Sequence, residues 1–289
     1  MANDTDDVRS MKIRVMETNL RVLDPTEYSR FMNLSEREKE NYVDQNWQKY
    51  QVHPRADDLQ RMNTALHPLL KDATDRGLTD QIANELTSGM GRKMDNLMQF
   101  HQLMSRLAAA VPDRTPIETI QLHLPSYLML FEGVFTTEIN LISFLLAMSG
   151  KEFRQKKHGS LVPVPISNYR QIQSRRMRDK FSFVAAEGFE FVIDAADYDL
   201  RNAIAHTEYE LTTEGALRYV LQGRGLASLS LQEMDSKLET LLQHAECFRR
   251  SALEFYVSYV KSVLPMYPEP VRNEIEKKLG FYIDKSDKT

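Results

Sequence analysis

The sequence predicts a mainly helical protein with one short β-hairpin, and three observations carry that reading. Apolar residues recur at helical spacing along most of the chain, the period switches to a strand-like one between residues 208 and 221, and Gly and Pro, 11 of each, punctuate elements instead of clustering. With 289 residues, 42% of them apolar, the chain can bury a core in one large domain or in each of two ordinary ones.

Residues 1 to 112 read as an amino-terminal helical region of short amphipathic helices. Breaks are expected at Asp24-Pro25, His53-Pro54, His67-Pro68, Gly77 and Gly89 to Gly91. Its clearest helix carries Met94, Leu97, Met98, His101, Met104, Leu107 and Ala108 on one stripe, the pattern of packed core. Two prolines around a polar turn, Val111 to Pro116, make the expected boundary with a second domain over residues 113–289. There a strongly apolar helix is expected from Ser126, after Pro125, to Met148, stopped by Gly150. Leu161-Val-Pro-Val-Pro-Ile166 cannot be helical and should run extended over the surface. A second helix is expected from a cap at Ser167-Asn168 past Phe181, Phe183, Phe189 and Val192.

Asp197 to His206 follows as a short helix that buries Leu200 and Ile204 on the side away from Asn202 and His206. Glu208 to Leu211 and Ala216 to Leu221, joined by Thr212 to Gly215, form the β-hairpin. Ser230-Leu-Gln-Glu233 is a capping box that opens a long helix toward Leu264, before Pro265.

Charge is uneven. Residues 151–180 hold nine basic residues against Glu152 and Asp179, a local charge of +7 in a chain of net charge −4. Lys156, Lys157, Arg170, Arg175, Arg176 and Arg178 are the candidate nucleic-acid contacts, and a basic surface poor in aromatics implies backbone recognition with weak sequence preference. The acidic set Glu187, Glu190, Asp194, Asp197 and Asp199 reads as a solvated helix face. The first residues have neither the basic nor the apolar region of a secretory leader, and the single Cys247 suits a reducing compartment. The longest pure apolar run, around Leu145 to Met148, falls far short of the roughly 20 residues of a membrane span. A cytoplasmic protein without membrane contact is expected. No phosphate-binding Gly-rich loop, dinucleotide fingerprint, nucleophile elbow or His-x-x-x-His pair is present, so no metal and no cofactor is expected.

The segment that carries chemistry is Arg201-Asn202-Ala-Ile-Ala-His206. It resembles the signature of the HEPN superfamily: an arginine, a polar residue after it, and a histidine four to six residues further on, at the end of a helix in a bundle of four or five. The helical pattern from residue 126 to 264 suits such a bundle, so the resemblance covers about half of the chain. Arg61 to His67 matches a looser form and is closed by Pro68.

The resemblance implies a metal-independent endoribonuclease in which two protomers line one cleft with their motifs and cut RNA to leave a cyclic phosphate. It also implies a homodimer, an abortive-infection, phage-defence or toxin setting, and a protein antitoxin or regulator as partner. Within it, the imidazole of His206 moves the proton of the 2′-OH or of the leaving 5′-oxygen. Arg201 neutralises charge growing on the phosphate, and Asn202 orients His206 or donates to the phosphate.

On an ideal helix Arg201 and His206 lie about 140° apart, so their convergence calls for the long arginine, a frayed helix end or the partner protomer. Nucleotidyltransferase-paired relatives carry a tyrosine two residues after the histidine. Here Glu208 stands there, with Tyr209 one later as an accessory candidate, and the resemblance does not extend to tyrosine modification. Two readings from other classes stay open: a non-catalytic HEPN dimerisation or scaffold module, and a helical nucleic-acid-binding regulator that uses residues 151–180 without cutting.

Overall fold

The architecture is that of a computed structural model, which describes residues 13, 16, 17, 20, 25–46, 55–93, 96, 97, 99, 100, 115–221 and 225–279. The chain forms two compact units, one of Met1–Val52 with Ala252–Thr289 and one of His53–Ser251. The expected boundary at residues 112/113 lies outside the described residues, as do the His53-Pro54 break and most of the methionine stripe, including His101.

In the smaller unit, α1 (Pro25–Met32) and α2 (Glu36–Asn46) pack Phe31 and Val43 against Met16 and Leu20. Glu38 caps the start of α2 by accepting from the Ser35 amide at 2.8 Å and from the Ser35 hydroxyl. A further helix, Glu269–Leu279, was not expected from its polar sequence.

The larger unit begins with α3 (Ala56–Asp75) and α4 (Thr79–Asn84), followed by a π-helical segment, π1 (Glu85–Gly91). Two expected breaks are therefore corrected. Pro68 lies inside α3, whose Met62, Leu66, Leu70 and Ala73 are buried, and Gly89 and Gly91 belong to π1. Packing of the apolar stripe outweighs one lost hydrogen bond.

The central helix is also longer than its expected start at Ser126. It begins at Pro116 with a Thr115/Glu118 capping box and runs as α5 (Pro116–Met129), π2 (Leu130–Phe135) and α6 (Thr136–Met148), with Pro125 inside it. Proline suits the first helical turn, which is why Pro116 starts the helix instead of ending a linker. At the other end Gly150, φ +92°, is the expected stop: the Lys151 amide donates to the Leu146 carbonyl and the Gly150 amide to that of Ala147. Pro116–Met148 is long and apolar enough to cross a membrane by length and composition, unlike the short run expected, but 72% of its most apolar window is buried inside the protein. It is a core helix here.

The basic region forms a two-stranded antiparallel hairpin, β1 (Arg154–Lys157) with β2 (Ser160–Pro163). His158 and Gly159, both at positive φ, supply its two-residue turn. The single helix expected after Asn168 is three: α7 (Tyr169–Gln173), α8 (Met177–Ala186) and α9 (Glu190–Asp194). Asn168 caps α7 by accepting from the Gln171 amide at 3.1 Å. Gly188 at φ +92° separates α8 from α9.

α10 (Tyr198–His206) has the expected extent and buries Leu200 and Ile204. The expected hairpin is part of a three-stranded antiparallel sheet, β3 (Tyr209–Leu211), β4 (Leu217–Leu221) and β5 (Gly225–Leu229), in which β5 was missed. Leu217, Tyr219 and Leu229 turn inward while Arg218, Val220 and Leu226 face out. α11 (Leu231–Val263) opens at the Ser230/Glu233 capping box, as expected.

Gly215 in the β3–β4 turn sits at φ +80°, and a Cβ there would stand 2.6 Å from Pro116 Cβ. Gly215→Ala should therefore destabilise the fold by about 1–3 kcal/mol, combining left-handed strain with a clash against the start of α5. Chemical denaturation would check it, and an unchanged midpoint would remove this contact from the account.

Candidate functional site on helix α10

The first turn of α10 is fixed from three directions through Asp197. The Asp197 carboxylate accepts from the Leu200 amide at 2.9 Å as an N-cap, from the Tyr219 hydroxyl of β4 at 2.7 Å and from the Lys237 ammonium of α11 at 2.8 Å. Its backbone amide donates to the Tyr127 hydroxyl of α5 at 2.8 Å, and that hydroxyl donates to the Asp197 carbonyl at 3.1 Å. Burial by itself would raise the Asp197 pKa, but the hydrogen bonds from Lys237, Leu200 and Tyr219 outweigh it and hold the carboxyl below its ordinary value. Asp197 is thus a structural hub and not the solvated face residue expected. Glu187 is likewise engaged, with Lys151 at 2.8 Å.

Arg201 does not pair with an acidic neighbour on its own helix. Its guanidinium donates from Nε and Nη2 to a single oxygen of Glu132 on π2, and from Nη1 to Asn202 Oδ1 at 2.7 Å. Glu132 stands 69 residues away in the chain, and both side chains remain reachable, Arg201 at 25% and Glu132 at 41% exposure. Thus Arg201 and Asn202 are brought together as one bonded unit, with Asn202 half-buried.

His206 ends the helix, exposed, next to Thr207 in the left-handed conformation at φ 56°. Its ring has no hydrogen bond or ion pair, to Arg201 or any other residue, among the described residues. Tyr209 sits half-buried on β3, opposite Tyr219 in register.

The basic residues divide. Lys156, Lys157, Arg170, Arg176 and Arg178 are exposed, and among the described residues none of them is in an ion pair. Arg175 is half-buried, donating from Nη1 to Gln155 Oε1 at 3.4 Å, and the Lys156 amide donates to Asp179 Oδ1 at 3.3 Å. These bonds seat β1 against the start of α8, so Lys156, Arg175, Arg176 and Arg178 share one region. Arg178 also lines a cleft of about 660 Å³ with Asp194, Tyr198, Asp199 and Lys237 at the first turn of α10.

Lys180, counted in the charge of residues 151–180 but not among the candidate contacts, is buried and donates to Asn140 Oδ1 at 2.6 Å. Burial pushes its pKa down to about 8, against the opposing pull of Glu132.

Glu132 is the site residue that the sequence reading missed. Its signal was a carboxylate in the middle of an apolar helix, a placement it shares with Glu138 and one that needs a partner. The π-helical turn there, a feature enriched at functional sites, leaves no mark in hydrophobic spacing. The looser Arg61/His67 match has structural employment: Arg61 stacks over the Phe191 ring at 4.4 Å and His67 Nε2 lies 3.0 Å from the Ser251 carbonyl.

Comparison with protein-family models, characterised proteins and solved structures finds no match to this chain.

Proposed function

We propose that the protein is a metal-independent endoribonuclease of the HEPN type that works as a pair of chains on RNA. The observation that supports this most is the arrangement on α10. Arg201 and Asn202 are joined side by side on an accessible face, and an exposed histidine without a side-chain partner among the described residues ends the same anchored helix.

In this reading the ribose 2′-oxygen attacks the adjacent phosphorus and the bond from phosphorus to the 5′-oxygen breaks. The 2′-OH proton passes to a base and a proton reaches the leaving oxygen, leaving a 2′,3′-cyclic phosphate. An imidazole serves either transfer near neutral pH, and the guanidinium takes up charge on the non-bridging oxygens. As the resemblance implies, a second copy supplies the complementary half of the cleft, and within one chain Arg201 is bonded to Glu132 and Asn202. Lys156, Lys157, Arg170, Arg176 and Arg178 supply backbone contacts for RNA. A toxin or phage-defence setting, with a protein antitoxin or regulator, follows from the same resemblance.

RNA cleavage by the purified protein in EDTA, beside His206→Ala and Arg201→Ala variants checked for folding by circular dichroism, tests the reading. Each variant should lose about 100-fold to 10,000-fold in rate. Equal cleavage by all three would reject the site. The engagement of Arg201 by Glu132 favours a second reading, a non-catalytic scaffold, and absence of cleavage under every condition would select it.

A further inference from the structure

The β1–β2 hairpin stands on a fixed base and carries a free end. Phe153, directly before β1, is buried with its ring centroid 5.1 Å from that of Phe183 in α8, and the Val164 amide donates to the Phe153 carbonyl at 2.9 Å. Asp179 Oδ1 accepts from the Lys156 amide, and the Arg175 guanidinium reaches Gln155 Oε1. Every residue from Lys156 to Pro163 is exposed, so the end of the ribbon has solvent on both faces. Cross-strand partners share a face, and successive residues of a strand alternate between faces. The register Arg154↔Pro163, Gln155↔Val162, Lys156↔Leu161 and Lys157↔Ser160 therefore puts Lys156 and Leu161 on one face, and Lys157, Ser160 and Val162 on the other. Each face holds a lysine and an aliphatic side chain, with Leu161 62% and Val162 40% exposed.

Among the described residues no ion pair engages Lys156 or Lys157, nor Arg176 and Arg178 at the start of α8, on which the base sits. Free cations gathered on one projecting element call for a polyanion. A lipid surface or a flat protein face would cover one side of the ribbon and leave the other aliphatic residue in water, because Leu161 and Val162 point in opposite directions. A groove with phosphates along both walls takes up both sides. A duplex offers such a groove, whereas a single strand offers one row of phosphates. Proteins that hold single strands also use aromatic platforms for the bases, and residues 154–163 contain no Phe, Tyr or Trp. In A-form RNA the minor groove is wide, shallow and lined by sugar and 2′-hydroxyls, open to a short ribbon, while the narrow major groove shuts side chains out.

We propose that the β1–β2 hairpin is a reader of double-stranded RNA. Its end lies in the minor groove of the duplex, with Lys156 and Lys157 toward the phosphates of the two strands and Leu161 and Val162 against sugar and base edges. The choice of RNA over DNA rests on the ribonuclease reading, and the choice of a duplex over a single strand does not. A regular A-form strand keeps its 2′-oxygen out of line with the leaving 5′-oxygen, so the substrate class is a structured RNA that is held by its duplex and cut in an unpaired stretch beside it.

The test is fluorescence anisotropy with the full chain carrying His206→Ala, so that cleavage does not intrude on binding. Its probes are an RNA duplex of about 16 base pairs, one of the two strands alone, and the DNA duplex of the same sequence. The RNA duplex should bind at least about tenfold more tightly than the single strand. Leu161→Gln and Val162→Gln should each weaken duplex binding by about threefold to tenfold without changing its salt dependence. Lys156→Gln and Lys157→Gln should each reduce the slope of log affinity against log salt by about one. Leu226→Gln, at an exposed leucine of β5, should change neither quantity. Equal affinity for strand and duplex, tighter binding of the DNA duplex, or duplex binding untouched by both aliphatic changes would overturn the reader. Phosphatidylserine vesicles are a fourth probe, and vesicle binding that needs Leu161 without any duplex preference would overturn it in favour of a membrane surface. Preference for the RNA duplex with no RNA cleavage by the parent keeps the reader and rejects the nuclease, and cleavage by the parent without that preference does the reverse.

Discussion

His244→Ala is expected to lower stability by about 3–5 kcal/mol, because it strands a fully buried carboxylate. His244 Nε2 of α11 lies 2.7 Å from Glu138 Oε1 of α6, Glu138 is completely buried, and its other oxygen has no partner among the described residues. The pair sits among aromatic rings, with Phe135 and Phe191 each edge-on to the imidazole. The thermal unfolding midpoint should fall by about 6–20 °C at this size. Replacing both residues with leucine should restore most of the loss, since an apolar pair of similar volume needs no partner. A single variant within about 1 kcal/mol of the parent would show that water reaches the pair.

The same pair sets a pH dependence. Burial opposes the charged imidazole, but the charge and hydrogen bond of Glu138 outweigh it and raise the His244 pKa. Burial likewise raises the Glu138 pKa, with His244 pulling it back. A raised histidine contributes its full stabilisation below its unfolded value of about 6.5, and that contribution is lost as pH rises through the folded value. The stability gap between the parent and His244→Gln should accordingly be widest in mild acid and narrow on the alkaline side.

Asp197→Ala is the second large effect, about 2–4 kcal/mol. It removes the cap of α10 and leaves the Tyr219 hydroxyl and the Lys237 ammonium without their acceptor. Asp197→Asn keeps a capping oxygen and should cost about half as much. The depressed pKa gives the opposite pH sign to that of His244. The contribution is complete above the unfolded value of about 3.9 and is lost as pH falls through the lower folded value. Urea unfolding at pH 7 and pH 3 separates the two, because the parent's advantage over Asp197→Ala should shrink at the lower pH. No advantage at either pH would mean that Asp197 acts only through its backbone bonds to Tyr127.

Local signals were legible where a few adjacent residues settle the outcome. Gly150 as a stop, Asn168 as a cap, the Ser230/Glu233 box and the extent of α10 all depend on side-chain-to-backbone bonds across three or four residues. Pro68 and Pro125 misled, because a proline costs one helical bond and clashes locally, while packing of Leu66 and Leu70, or of Leu124 and Tyr127, recovers more. β5 was missed since Gly225-Leu-Ala-Ser-Leu229 has little alternation of its own and is specified by pairing with β4.

For the candidate site, the sequence alone determined that Arg201, Asn202 and His206 share one short helix with its apolar side turned away, because a 3.6-residue period and a capping aspartate leave few alternatives. Only the tertiary structure decided that Glu132 holds Arg201, that Lys180 is buried instead of exposed, and that Asp197 ties α10 to α5, β4 and α11. Those pairings join residues from 22 to 70 positions apart, and at such separations partners are chosen by which helix faces pack together, a property that no local spacing encodes.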